Sequence, residues 1–97
     1  MTLYEQTRKL EFSKIFATYN RVKSKAHNKK LVDAALSVIQ RGYWRMTNYQ
    51  TLLTWSEESK CYWAATEVGC TCPAHCIHKQ PYCKHMVARW IILKALQ

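Results

Sequence analysis

The spacing of apolar residues in the first 42 positions predicts two helices. Thr2 is followed three residues later by Glu5, which is the pattern of a capping box. Apolar residues then recur at near-helical spacing, and they are Leu10, Phe12, Ile15, Phe16, Tyr19 and Val22. The polar, basic stretch 23–30 offers a turn and a new helix cap, and Gly42 ends the second run. That run comprises Leu31, Val32, Ala35, Leu36, Val38 and Ile39.

From Tyr43 the pattern changes to β-favouring residues. Residues 43–47, 51–55 and 62–66 predict a hairpin with a third, edge strand, and the polar stretch 56–60 predicts the turn. A loop rich in Cys and His follows Gly69, and the apolar residues after Cys83 predict an amphipathic final helix. We expect one α+β domain over residues 1–97, with a basic helical part at 1–42 and a metal-binding part at 43–97.

Composition supports a folded domain. The chain has 97 residues, of which 48% are hydrophobic and 12% aromatic, with only two Gly and two Pro. The first residues lack the charged-then-apolar order of a secretory signal, and no apolar run approaches the ~20 residues that span a bilayer. We therefore expect an intracellular protein of the cytoplasm, nucleus or nucleoid, with neither a membrane nor a small-molecule substrate as partner.

The net charge of +9 is concentrated in the front half of the chain. Residues 1–45 hold ten Lys or Arg against three acidic residues, whereas residues 46–97 hold five against three. Such a field attracts nucleic acid or an acidic protein surface. The candidate nucleic-acid contacts are the linker lysines and a basic-aromatic run, namely Lys23, Lys25, Lys29, Lys30, Arg41, Trp44 and Arg45. The lysines equally fit a solvated helix junction, and aromatic residues that begin a strand are usually packed.

Two short pairs of metal-binding residues carry the strongest signal in the sequence. Cys70 and Cys72 are separated by one residue, as are Cys83 and His85, and ten residues lie between the pairs. Three thiolates and one imidazole are the complete ligand set of a closed tetrahedral zinc site. An odd number of cysteines, four of them within residues 70–83, argues against a disulfide framework. We expect one structural Zn²⁺, with iron as the less usual occupant.

The arrangement of strand, Cys-x-Cys-Pro, spacer, Cys-Lys-His and apolar helix resembles the SWIM zinc finger. The resemblance covers about residues 43–96 and depends on Cys70, Cys72, Pro73, Cys83, Lys84 and His85. SWIM domains occur in chromatin-remodelling ATPases, Mutator-type transposases and recombination-mediator proteins, and they are credited with binding DNA or other proteins. The resemblance thus implies a binding module, such as an accessory factor in recombination, transposition or transcription.

The spacer between the two pairs departs from the family pattern. It contains three further donors, His75, Cys76 and His78, which leave open a ligand exchange or, together with Cys61, a second metal site. Residues of this kind are more often solvated or packed. Without the metal the loop 69–82 has little to hold it, so chelation is expected to loosen or unfold the C-terminal half.

Catalysis is not expected. A catalytic zinc keeps an open coordination position, whereas four good ligands close this site. The acidic residues near it in sequence are Glu57, Glu58 and Glu67, and no deaminase pattern accompanies them. The alternative to nucleic-acid binding is a protein-interaction module or small inhibitor that docks on an acidic partner surface.

Overall fold

The computed structural model describes all residues 1–97 as five helices and a three-stranded antiparallel sheet. In chain order the elements are α1 (Leu3–Arg8), α2 (Phe12–Lys25), α3 (Lys29–Arg41), β1 (Trp44–Met46), β2 (Leu52–Ser56), β3 (Cys61–Ala65), α4 (Pro73–Cys76) and α5 (Lys84–Ala95). The predicted α+β class is confirmed. No helix combines the length and the apolar character needed to cross a membrane.

The predicted first helix is divided into two. The Thr2 hydroxyl accepts a hydrogen bond from the Glu5 N–H at 3.2 Å, as the capping-box pattern indicates, but α1 ends at Arg8. Glu11 has extended backbone dihedrals and precedes α2 as its N-cap. The break lets α1 contact β1 while α2 packs on α3 and α5, so tertiary packing overrides a nearly continuous periodicity.

Both ends of α3 follow the sequence signals. The Asn28 side chain accepts a hydrogen bond from the Leu31 N–H at 3.1 Å and caps the helix. Gly42 ends it in the left-handed conformation, with φ of 76°, which is unfavourable for residues with a Cβ atom.

The sheet has the order β1-β2-β3, which confirms the hairpin and the edge strand. Met46 pairs with Leu52, and Leu52 pairs with Ala65, so these three residues form one row across the sheet. All three are completely buried. This row is the apolar face that the sheet contributes to the core.

Helix α5 lies at the centre of the molecule and contacts α2, α3, β2 and β3. Its buried residues are His85, Met86, Ala88, Arg89, Ile91, Ile92 and Ala95, which cover more of its circumference than the predicted amphipathic stripe. Arg89 is buried because its Nε donates a hydrogen bond to the Gln50 carbonyl in the β1–β2 turn. The metal-binding part and the helical part thus share one core.

Candidate metal centre

The first ligand pair lies on a chain reversal that continues from β3. The Thr66 N–H donates to the Gly69 carbonyl at 2.7 Å, and the Thr71 N–H donates to the Ala64 carbonyl at 3.1 Å. These bonds hold Cys70 antiparallel to Ala65. Cys72 is the N-cap of the short helix α4, whose first residue is Pro73. The sheet therefore fixes the position of both cysteines.

The second pair lies at the start of the central helix. Cys83 is the N-cap of α5, and its carbonyl accepts a hydrogen bond from the Val87 N–H at 3.1 Å. His85 is in the first turn of α5, as the sequence predicts. Because α5 is packed on four other elements, this pair has a fixed position relative to the sheet.

The structure brings the two pairs together. One ligand atom from each of Cys70, Cys72, Cys83 and His85 lies within 4.8 Å of all the others, and all four residues are buried. The His85 Nδ1 atom is 3.8 Å from the Cys70 Sγ and 3.9 Å from the Cys83 Sγ. In a tetrahedral site with Zn–S bonds of about 2.3 Å, neighbouring ligand atoms are about 3.8 Å apart. The group can therefore hold one metal ion.

The three buried cysteines of the cluster have shifted pKa values. The hydrogen bond from the Cys70 thiol lowers the pKa of Cys83 to about 3, and His85 and the Met86 N–H add to this effect. The same contact with Cys83, together with burial, raises the pKa of Cys70, and burial raises that of Cys72. One thiolate thus lies beside two thiols that remain protonated. A bound cation would favour the thiolate at all three positions.

The additional donors of the spacer lie outside this cluster. The exposed Cys76 donates its thiol to the Cys70 carbonyl at 3.2 Å, and His75 Nδ1 is 2.9 Å from the Gln80 carbonyl oxygen. His78 is exposed. Cys61 is on β3 and joins no group of metal-binding residues. These four residues form neither a replacement ligand nor a second cluster.

Gly69 lies beside a side chain that limits the space for a Cβ atom. It does not adopt a positive φ, but a Cβ atom at this position would lie 3.0 Å from the His75 Nε2 atom. The His75 ring occupies the space next to Gly69, so a larger residue at this position would make a tight contact unless the ring shifted. The short helix α4, which the sequence did not reveal, places His75 there.

Comparison with protein-family models, curated proteins and solved structures gave no match for this chain.

Two of the predicted nucleic-acid contacts have internal partners. Lys23 forms an ion pair with Asp33 at 2.9 Å, and hydrogen bonds from Tyr19 and Lys23 lower the pKa of Asp33. Lys29 donates its ammonium group to the Lys23 carbonyl at 2.8 Å, near the end of α2. Both lysines therefore fix the α2–α3 junction.

The other predicted contacts lie on α2, α3 and β1. Lys25 is exposed at the end of α2, Lys30 in the first turn of α3, and Arg41 at the end of α3. The Arg45 guanidinium lies over the Tyr4 ring at 5.9 Å from its centroid. Trp44 packs against the core and donates its indole N–H to the Ile39 carbonyl at 3.1 Å, so it contributes to packing.

Sequence reasoning missed a different set of exposed residues. Tyr82 and Trp90 are 63% and 47% exposed, and the Lys94 ammonium lies 5.1 Å from the centroid of the Trp90 ring. The sequence pattern places Trp90 in the apolar run of the final helix and gives no sign of its exposure. Its neighbour Arg89 is the buried one.

Proposed function

We propose that this chain is a zinc-binding, non-catalytic module that binds nucleic acid, with DNA as the favoured ligand. Its role would be that of an accessory factor in recombination, transposition or transcription. The observation that carries the proposal is the convergence of Cys70, Cys72, Cys83 and His85 on one buried point. The order of these residues, together with the strand before them and the helix after them, is similar to the SWIM pattern.

Zinc is the proposed occupant because three sulfur atoms and one nitrogen atom suit its tetrahedral preference. The ligands come from the extension of β3 and from the start of α5. A bound ion would therefore connect the sheet to the central helix. This contribution is structural, and it is strongest where the backbone has few other hydrogen bonds, in the spacer.

Two features support a non-catalytic role. Four protein ligands would complete the coordination of a tetrahedral ion and would leave no position for water. The carboxylate of Glu57 is already engaged, because the Lys60 ammonium and the Trp55 indole each donate to it at 2.9 Å. These hydrogen bonds lower the pKa of Glu57, which makes it a weaker base.

Nucleic-acid binding is supported by the number of free cations. Of 15 Lys and Arg residues, only Lys23 and Lys60 form ion pairs with acidic side chains. Arg89 is buried and Lys29 donates to a backbone carbonyl, but the other positive charges have no acidic partner and are available to phosphates. Phosphate contacts supply most of the affinity in sequence-independent binding.

The proposal is tested with the zinc-loaded chain. Native mass spectrometry should find one zinc ion per chain. Fluorescence anisotropy should find binding to DNA whose affinity falls steeply between roughly 50 and 200 mM salt, as expected of phosphate contacts. A chain purified without zinc that does not take it up would contradict the metal assignment. No binding to DNA or RNA at low salt would contradict the nucleic-acid assignment.

A protein-interaction module is the second candidate, and one observation favours it. Phe12 and Phe16 are each 44% exposed on α2, with ring centroids 6.1 Å apart. Exposed aromatic residues are enriched at protein interfaces. Capture of a partner that persists at high salt and is lost on Phe16→Ser substitution would support this candidate over the first.

A further inference from the structure

A groove of about 720 Å³ lies between α2, the start of α3 and α5. Its wall carries Arg21, Lys25 and Lys94, and its lining also includes Tyr82 and Trp90. No Asp or Glu side chain lines it. The groove is thus both cationic and aromatic.

The cations of this groove have no acidic partners. Neither Arg21, Lys25 nor Lys94 takes part in an ion pair, and Arg21 donates only to the Thr18 hydroxyl, at 3.3 Å. Lys94 instead lies over the Trp90 ring. Their charge is therefore available to an anionic ligand.

The positive charge continues beyond the groove along α2. Lys14, Arg21 and Lys25 are spaced by seven and four residues, so at 3.6 residues per turn they lie within roughly 40° of one another on the helix surface. Arg21 and Thr18 also line a neighbouring groove, whose lining includes Lys14, Lys9 and one acidic side chain, that of Glu11. The result is a linear track of cations, which suits a polyanion with regularly spaced charges.

The aromatic residues indicate which kind of polyanion fits. Tyr82 and Trp90 are 63% and 47% exposed, and Val22, Val32 and Val87 also line the groove. In a duplex the bases stack on one another and only the backbone would meet this surface. Unpaired bases can stack on aromatic rings while phosphates contact neighbouring lysines and arginines.

We propose that this groove binds single-stranded nucleic acid, with bases stacked on Trp90 and Tyr82 and phosphates held by Arg21, Lys25 and Lys94. The proposal rests on the nucleic-acid function proposed above and assigns it a site. That site shares only Lys25 with the contacts predicted from the sequence.

The test uses the full, zinc-loaded chain and fluorescein-labelled dT15, rU15 and a duplex of the same length. Trp90→Leu should bind the single strands about tenfold more weakly, within the range of aromatic stacking energies, while Trp90→Phe should stay close to wild type. The double variant Lys25→Gln, Lys94→Gln should lower the slope of log affinity against log salt by about 1.4, because each phosphate contact to a single strand contributes about 0.7. Lys60→Gln with Lys79→Gln removes the same charge at two exposed residues outside the groove and is the matched control.

Preferential binding of the single strands, with the losses confined to the groove variants, would support the proposal. Preference for the duplex, an equal loss in the control double variant, or unchanged binding by Trp90→Leu would overturn the groove assignment and leave nucleic-acid binding in place. If the wild-type chain binds none of the probes at low salt, the proposed function itself fails. Zinc content and thermal melting identify a variant that misfolds. If Trp90→Leu misfolds, the salt dependence of the Lys25→Gln, Lys94→Gln variant tests the groove assignment instead.

Discussion

Cys76 has the same side chain as the three buried cysteines but a different environment. Its thiol donates to the Cys70 carbonyl from an exposed position on α4, whereas the thiols of Cys70, Cys72 and Cys83 face one another and His85. Local environment, rather than residue type, therefore decides which cysteines can bind a metal.

Substitution of Cys83 should abolish tight metal binding. Cys83→Ser removes the residue that is already a thiolate, whereas Cys76→Ser removes only a surface hydrogen bond. Titration with Co²⁺, followed by its thiolate absorption, should show full binding by Cys76→Ser and none by Cys83→Ser. Loss of the absorption in both variants would mean that Cys76 takes part in the site.

Metal binding should release protons. Because the pKa values of Cys70 and Cys72 are raised, both thiols are protonated at neutral pH before the metal binds, while Cys83 is not. We expect about two protons per zinc ion, and hence an affinity that falls as the pH is lowered. A weakly buffered solution with a pH indicator measures the release. A count near three would show that Cys83 is also protonated in the metal-free chain.

Gly69→Ala should destabilise the fold by about 1 kcal/mol, the lower end of the overpacking range, because the new Cβ would meet the end of a side chain. Chemical denaturation of the zinc-loaded chain measures this loss. His75→Ala removes the opposing ring, so Gly69→Ala should cost less in that background. An equal loss in both backgrounds would exclude the steric explanation.

At the residue level, the spacing of ligands along the chain predicted the candidate metal site better than the distribution of charge predicted the contacts of individual lysines. The metal quartet was predictable because a one-residue separation limits how far two ligands can diverge. The partners of Lys23 and Lys29 were not, because Asp33 and the end of α2 meet these side chains only after the helices pack.

Among the elements, α5 combines two tasks. Its first turn carries His85, and its later turns carry the isoleucines that fill the core. The position of the candidate ligands is therefore coupled to the packing of α5, since displacement of this helix would also displace two of the four ligands.

Ile91→Ala should lower the free energy of unfolding by about 2–5 kcal/mol, because the side chain is completely buried and truncation leaves a cavity. Leu93→Ala is the matched control on the same helix, and its half-buried side chain should give a smaller loss. Urea denaturation of the zinc-loaded variants measures both. A larger loss for Leu93→Ala would contradict the central position assigned to α5.

The sequence predicted the elements better than their packing. Periodicity and caps located α3, and β-favouring residues located the strands, because both signals are local. The break at residues 9–11 and the burial of Arg89 depend on β1 and on the Gln50 carbonyl, which are distant in sequence. The four-residue helix α4 is too short to give a periodic signal.

At the scale of the whole molecule, one cluster of 17 buried residues extends from Ile15 in α2 to Ala95 in α5. The cysteines of the metal centre belong to the same cluster. Loss of a bound ion would therefore affect one part of a core that is also held by apolar packing.

Chelation should have a graded effect. The spacer, residues 73–82, should lose hydrogen-exchange protection first, because it is mostly exposed and has few backbone hydrogen bonds to the rest of the chain. The second half of α5 should stay protected by its packing on α2 and α3. Exchange mass spectrometry with and without chelator measures both regions. Equal loss throughout residues 43–97 would support the broader unfolding expected from the sequence.

The candidate groove could not be predicted from the sequence, because it forms only when the helices pack together. Lys25, Tyr82 and Trp90 belong to three different segments, and no local pattern relates them. Only the positive net charge indicated that some surface of this kind would exist.

The spacer is a suitable position for inserting a foreign peptide. Cys72 and Cys83 flank residues 73–82, so a shared ion would hold both ends of this loop together while its middle faces outward. Each doubling of the length of a loop with fixed ends lowers the free energy of unfolding by only about 0.6 kcal/mol, through the entropy of loop closure. A foreign peptide inserted near Lys79 would therefore be displayed in a surface loop, and the addition or removal of the metal would control whether the two ends of that loop are held together.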